Sequence, residues 1–215
     1  MTYFSSFITL NQVQQAQFKK LQENMLAWNT KINLTAITEP EDIHLKHFED
    51  SLSLSPWLAE AAAANPRLSL IDVGTGAGFP GLPLKISFPS LRLTLLDSLR
   101  KRIRYLEETV SLLGLESVTC IHGRAEDVGR EAEHHAAYDL ATARAVARLD
   151  KLAAWCLPFV RPGGLFLAMK GPDPREELKE ALPTFAEHKA EWLETRPIQL
   201  APGMTHSVIV VRKTP

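Results

Sequence analysis

Cysteine is scarce in this chain: there are two, Cys120 and Cys156, in 215 residues. Two cysteines so far apart exclude a disulfide framework and a metal-binding knuckle. Both read as buried thiols in a reducing compartment, Cys120 in a strand and Cys156 in a helix. Long apolar runs are missing too, so no stretch can span a bilayer. The opening segment MTYFSSFITL lacks a basic stretch followed by an apolar core, which leaves no secretory leader to read. The expectation is a cytoplasmic protein with no membrane partner. Neither sign of charge dominates. Lys and Arg number 24 against 25 Asp and Glu, for a formal net charge of -1. That disfavours a globally basic nucleic-acid binder but permits a local basic face. No internal repeat or low-complexity tract occurs.

What is present suits one substantial core, with 45% hydrophobic residues. Phe18, Leu21, Met25 and Trp28 recur at helical steps, and the polar stretch 29–35 breaks the pattern. A second helix is expected near Thr38. Thr38 and Glu41 have capping-box spacing, Pro40 suits a first turn, and the helix would pass through His44, His47 and Leu52. From Leu68 the pattern becomes strands alternating with helices. Strands are expected at 68–73, 91–97, 117–122, 138–143, 164–170 and 206–213. Ile103, Leu106, Val110 and Leu113 make a helical stripe closed by Gly114. Leu152, Trp155 and Phe159 mark another helix, and Ala61 to Ala64 end one. The expected fold is α/β: a doubly wound, mostly parallel seven-stranded sheet, Rossmann-like, at residues 65–215. Residues 1–64 form an N-terminal helical extension packed on it.

The central motif is Asp72-Val73-Gly74-Thr75-Gly76-Ala77-Gly78, between a strand and a helix. Glycines let the chain turn sharply and let a ligand lie on bare backbone. Asp97 ends the next strand, 23 residues after Gly74, close to the offset of about 20 expected of a ribose-binding acid. A dinucleotide motif would need glycine at position 79, where Phe79 stands. Gly-x-Gly-x-Gly with an acid two residues ahead suits S-adenosylmethionine, which carries a ribose and a sulfonium but no pyrophosphate. Ala125 and Glu126, in the loop after the third strand, are placed to flank an adenine.

These motifs, in this order, resemble the RsmG (GidB) family of bacterial methyltransferases. The resemblance also rests on Trp28-Asn29, Asn33 to Ala36, His47 to Leu52, Asp72 to Leu84, Leu95 to Glu107, Arg124 to Glu126, Thr142 to Ala147 and Pro202 to Lys213. It implies methyl transfer from S-adenosylmethionine to N7 of one guanine in 16S ribosomal RNA, conventionally guanosine 527, with the small ribosomal subunit as partner and a monomeric enzyme. It implies cofactor contacts at Gly74, Phe79, Ala125, Glu126 and Arg144, beside the Asp72, Thr75, Gly76, Gly78 and Asp97 of the glycine-loop reading. The rivals are an enzyme of the same fold acting on a protein or small molecule, a binding module without turnover, and an NAD-dependent oxidoreductase, which Phe79 disfavours.

The chemistry agrees with what is missing. Amino methylation of adenine commonly uses an Asn/Asp-Pro-Pro-aromatic motif after the fourth strand, where this chain has Thr142-Ala143-Arg144-Ala145. Cytosine C5 methylation needs a nucleophilic cysteine, whereas Cys156 reads as a packed thiol. Guanine N7 has a free lone pair and needs neither base nor nucleophile. Arg144 and Lys170, at the C-terminal ends of parallel strands, are the candidate catalytic residues. Arg100, Lys101, Arg102 and Arg104 are either a solvated face or a phosphate-binding cluster. His44 and His47 lack a third ligand, so helix packing is preferred to a metal site.

Overall fold

The computed structural model describes residues 5–144 and 147–215. Met1 to Phe4 at the start of the opening segment, and Ala145 and Val146 of the Thr142 to Ala147 motif, lie outside them.

Seven strands form one sheet: β1 (Ser69–Val73), β2 (Arg92–Asp97), β3 (Val118–His122), β4 (Tyr138–Arg144), β5 (Val160–Lys170), β6 (Ala190–Ala201) and β7 (Met204–Lys213). Their order is β3-β2-β1-β4-β5-β7-β6. The first five strands run parallel, and β7 is antiparallel to both β5 and β6. The chain reverses direction across the sheet between β1 and β4, the switch point where doubly wound sheets bind ligands beyond their strand ends. β1 is buried along its whole length. It can therefore be apolar throughout except for Asp72 and Ser69, each of which finds hydrogen-bond partners.

The helices are α1 (Gln12–Ile32), α2 (Pro40–Ile43), a π-helical turn (His44–Glu49), α3 (Asp50–Leu52), α4 (Ser55–Ala64), α5 (Gly81–Ser87), α6 (Arg100–Leu113), α7 (Ala125–Val128), α8 (Leu149–Cys156) with a 3-10 turn (Leu157–Phe159), and α9 (Arg175–Glu187). Phe18, Leu21 and Met25 of α1 are wholly buried, each contributing about 2 kcal/mol of apolar burial. They join Phe48, Leu52, Leu70, Leu84 and Leu106 in one core cluster, so α1, the π-helical turn and α3 share the apolar layer on one face of the sheet. Gln14 both closes a capping box with Asn11 and donates to the carbonyl of Ile86 at 2.9 Å, fastening α1 to α5. Asn24 donates to Thr109 of α6. α8, α9 and Phe159 cover the opposite face.

Gly114 caps α6 in the left-handed conformation, φ 61°. Four local readings are corrected. The Thr38–Glu41 capping box does not form: Glu39 occupies the N-cap of α2 and its side chain makes no cap bond. α1 runs on to Ile32 and is closed by left-handed Asn33, so the polar stretch is partly helix. β6 was not apparent in the sequence because half of it is exposed at the sheet edge, with Trp192 and Leu193 facing solvent. Cys156 is buried, but Cys120 is only half-buried. No helix among the described residues is long and apolar enough to cross a membrane.

Candidate active site

The glycine loop follows β1 and opens α5. Gly74, Gly76 and Gly78 have φ of 69°, 62° and 90°, the left-handed region that glycine enters without steric penalty. At Gly78 a Cβ would also stand 2.3 Å from Leu82 Cδ1. Gly78 is buried and packs the loop against α5. Asp72 lies beneath the loop with no exposed surface. One carboxylate oxygen, Oδ2, accepts hydrogen bonds from Thr75 Oγ1 at 2.6 Å and from the Gly81 amide at 2.8 Å. Burial pushes its pKa up to about 6, despite these bonds and the nearby Arg144. Its other oxygen, Oδ1, has no hydrogen-bond partner among the described residues. Asp72 thus braces the loop from beneath.

Asp97 closes β2 beside that loop. Its Oδ2 accepts from the Gly76 amide at 3.0 Å and from Arg102 at 3.2 Å, and its Oδ1 accepts from the Leu99 amide at 2.8 Å. A cavity of about 140 Å³ opens here, lined by Gly74, Asp97, Gly123, Ala125, Glu126 and Trp155 among others. A second cavity, about 340 Å³, lies on the other side of Gly74. Thr75, Gly76 and Phe79 line it, with His47 and Arg144. A third, about 410 Å³, is lined by His47, Asp50, Arg144, Lys170, Glu177 and His206 among others. The first two cavities share Gly74, and the last two share His47 and Arg144.

Arg144, the last residue of β4, reaches the N-terminal segment. It donates to Asp50 Oδ2 at 2.7 Å, to the Lys46 carbonyl at 3.1 Å and to His47 Nδ1 at 3.3 Å. Its guanidinium carbon sits 5.3 Å from the centre of the Phe79 ring, within cation–π range. His47 stacks on Phe79 with ring centres 4.6 Å apart and planes nearly parallel. Guanidinium can only donate, so His47 Nδ1 accepts, and Nε2 carries the proton toward Thr35 Oγ1 at 2.9 Å. Burial, then Arg144, lower the His47 pKa to about 4. The ring is therefore neutral near pH 7, with both nitrogens engaged. Asp50 Oδ1 also lies 2.5 Å from His206 Nδ1. Burial would raise its pKa, but His206 and Arg144 outweigh that and hold it below the usual carboxylate value.

Lys170, ending β5, pairs with Glu177 at 2.7 Å and donates to the Ala147 carbonyl at 3.0 Å. The fold thus places Gly74, Thr75, Gly76, Phe79, Asp97, Ala125, Glu126, Arg144 and Lys170 along three adjoining cavities, with Asp72 and Gly78 packed beneath the loop. Sequence reading overlooked His47, Asp50, His206 and Glu177 as members of the site. The available signals were the motifs His47 to Leu52 and Pro202 to Lys213, but Arg144 lies 94 residues from Asp50. Among the described residues no three His, Cys, Asp or Glu side chains are placed to hold a metal ion. Cys156 is fully buried with its thiol pKa pushed well up by burial, and burial also pushes Cys120 up to about 12.

Three comparisons bear on this arrangement. Solved structures share the fold at low identity. TrmN from Thermus thermophilus aligns with a TM-score of 0.55 at 19% identity, over 79% of this chain and 53% of its own. P. horikoshii TYW2, solved in complex with MeSAdo, gives 0.53 at 17%, over 68% and 57%. The [4+2]-cyclase SpnF gives 0.59 at 15%, over 98% and 99%, so the fold alone does not fix a reaction. Sequence relatives are far nearer. The ribosomal RNA small subunit methyltransferase G of Alkaliphilus metalliredigens is 48% identical over 94% of this chain and 83% of its own length. That of Leuconostoc mesenteroides is 49% identical over 81% and 72%. The family model described as rRNA small subunit methyltransferase G matches residues 14–200, and the chain belongs to that family.

Proposed function

We propose that this enzyme methylates N7 of a guanine in 16S ribosomal RNA of the small ribosomal subunit. One observation carries the reading: the cavities run in series, joined first across Gly74 and then across His47 and Arg144. A donor can lie along the glycine loop while an acceptor base enters from the other side.

The methyl donor is S-adenosylmethionine, which supplies an electrophilic methyl group on a sulfonium sulfur. The residues fit it. Gly74 offers bare backbone between two cavities, as an elongated ligand needs. Asp97 can accept from ribose hydroxyls, with Arg102 as the partner it would exchange. Ala125 and Glu126 border the same cavity, where an adenine would sit. Asp72 Oδ1, buried and unpaired, places a negative charge beneath the loop that favours a cationic ligand.

The protein's own contribution is alignment. A guanine N7 lone pair attacks without losing a proton, so no general base is required. His47 has no nitrogen to spare, and neither cysteine can act as a nucleophile. Arg144, permanently charged and held by three partners, orients the groups where the two cavities meet. Arg100, Lys101 and Arg104 are exposed on α6 beside the loop and supply a local cationic face for RNA phosphates. We place the reaction in the cytoplasm, with a single copy of the chain as the catalytic unit.

The test is methyl transfer to small subunits from cells lacking the modification, with the product mapped by mass spectrometry. 7-Methylguanosine is expected. A labelled 5-methylcytidine, or transfer only to protein, would overturn the reading.

A further inference from the structure

The largest cavity of the site contains an ion pair that methyl transfer itself does not use. Lys170 has three N–H donors. The Ala147 carbonyl and Glu177 Oε2 take two, at 3.0 and 2.7 Å. Glu177 Oε2 accepts a second bond from the Leu149 amide at 2.9 Å. Its Oε1 has no partner among the described residues. The pair therefore presents one unspent donor beside one unspent acceptor at the wall of a cavity of about 410 Å³, within the size range of small-ligand sites. The other carboxylate there, Asp50, has one oxygen on Arg144 and the other on His206. Ile37 and Met169 line the same cavity and give a flat base apolar surface.

We infer that Lys170 and Glu177 read the acceptor base by its lactam edge, Lys170 donating to O6 and Glu177 Oε1 accepting from N1–H. This rests on the guanine-N7 reading above. Adenine offers the reverse pattern, an amino donor at C6 and a bare acceptor at N1, so it would set donor against donor and acceptor against acceptor. Uracil carries the same lactam pattern but no N7. The pair thus selects, among bases with a nucleophilic N7, the one with a carbonyl at C6. Buried polar groups left unpaired make such discrimination steep, on the order of ten-thousandfold where a site is built for the hydrogen bond. The electrostatics agree: burial works against the Glu177 charge, but Lys170 and the Leu149 amide outweigh it and keep the carboxylate ionised.

A structural role is the competing account, because Glu177 also ties α9 to the first residue of α8. The ratio of rates on two bases separates the two accounts. Small subunits are reconstituted with guanosine or adenosine at the target, and kcat/KM for methyl transfer is measured for wild type, Glu177→Gln and Lys170→Met. Glu177→Gln can turn its amide toward adenine N1. It should lower the rate on guanosine and shrink the guanosine-to-adenosine ratio at least about tenfold, with S-adenosylmethionine affinity unchanged. Lys170→Met should shrink the same ratio, and serves if the first variant fails to fold. Folded variants that lose rate equally on both bases would overturn the inference and leave Glu177 as a fastening. Absence of 7-methylguanosine from the wild-type reaction would instead bring down the functional reading and this inference with it.

Discussion

Arg144 and Asp50 are joined by a 2.7 Å ion pair that spans 94 residues of sequence. It ties the end of β4 to the helical segment that forms one wall of the site. Breaking a sealed pair costs about 3–5 kcal/mol. These side chains are 17% and 13% exposed, so about 2 kcal/mol is the expected loss for Asp50→Asn.

Arg144 should matter more to rate than to stability. Misplacing reacting atoms by about 1 Å costs on the order of a hundredfold. Arg144→Ala is expected to cut methyl transfer on that order while S-adenosylmethionine affinity falls less. Arg144→Lys should recover only part, since it keeps the charge but cannot reach Asp50, His47 and the Lys46 carbonyl together. Single-turnover rates on variants shown to fold by thermal melts decide the matter. A wild-type rate in Arg144→Ala would make Arg144 a mere strut.

In the proposed function the donor site rests on Asp97 and Gly74. Asp97→Ala removes the acceptor facing the first cavity and frees Arg102. Gly74→Val puts a branched side chain at φ 69°, where both the conformation and the open path are lost. Each should weaken S-adenosylmethionine binding at least tenfold in calorimetry, with circular dichroism unchanged. Undiminished affinity in both variants would remove the donor site from this loop.

Two buried groups pull stability in opposite directions with pH. His47 has a native pKa of about 4 against an ordinary 6.5, so between these values the unfolded chain binds more protons. Its share of stability is complete above pH 6.5 and is lost as pH falls. Asp72, raised from 3.8 to about 6, does the reverse: its native form binds more protons across that window, so stability declines as pH rises through it. Urea titrations of wild type and His47→Asn at pH 7 and pH 5 should differ. On going to pH 5 the wild type should lose on the order of 2 kcal/mol more than the variant. Asp72→Asn should alter the dependence in the opposite sense. Parallel pH profiles for all three proteins would contradict the burial argument.

RNA affinity should fall with salt. Arg102 already pairs with Asp97, which leaves Arg100, Lys101 and Arg104 as the exposed cations of α6. Each single-strand phosphate contact contributes a slope of about 0.7 in log affinity against log salt. Neutralising Arg100, Lys101, Arg102 and Arg104 together should therefore flatten the slope by about 2. An unchanged slope would show a solvated helix face.

The sheet and the glycine loop were legible because their signals are local. Apolar runs announce β1 and β2, the first of them ending in the glycine loop, and Asp97 sits at a fixed distance from that loop. Asp72 has the spacing of a ligand residue, but sequence cannot show which way a carboxylate turns, and here it points under the loop. His47 and Asp50 could not be read as site residues because their partner Arg144 lies far along the chain. β6 escaped notice because an exposed edge strand needs no apolar run. Glu39 displaced Thr38 as the cap of α2 because capping depends on backbone angles that spacing alone does not set.

The π-helical turn at His44–Glu49 makes three successive residues serve three different neighbours. The Lys46 carbonyl meets Arg144, His47 lies on Phe79, and Phe48 packs 4.9 Å from Phe18. An ordinary helix turns each residue about 100° from the last, and a wider turn alters that phase. The segment therefore works as a ruler calibrated to a single residue. At the exposed Pro202–Gly203 hairpin a residue gained or lost changes only the loop. Between 44 and 49 the same edit would rotate everything on one side of it, so that the core could keep Phe48 or the site could keep His47, but not both.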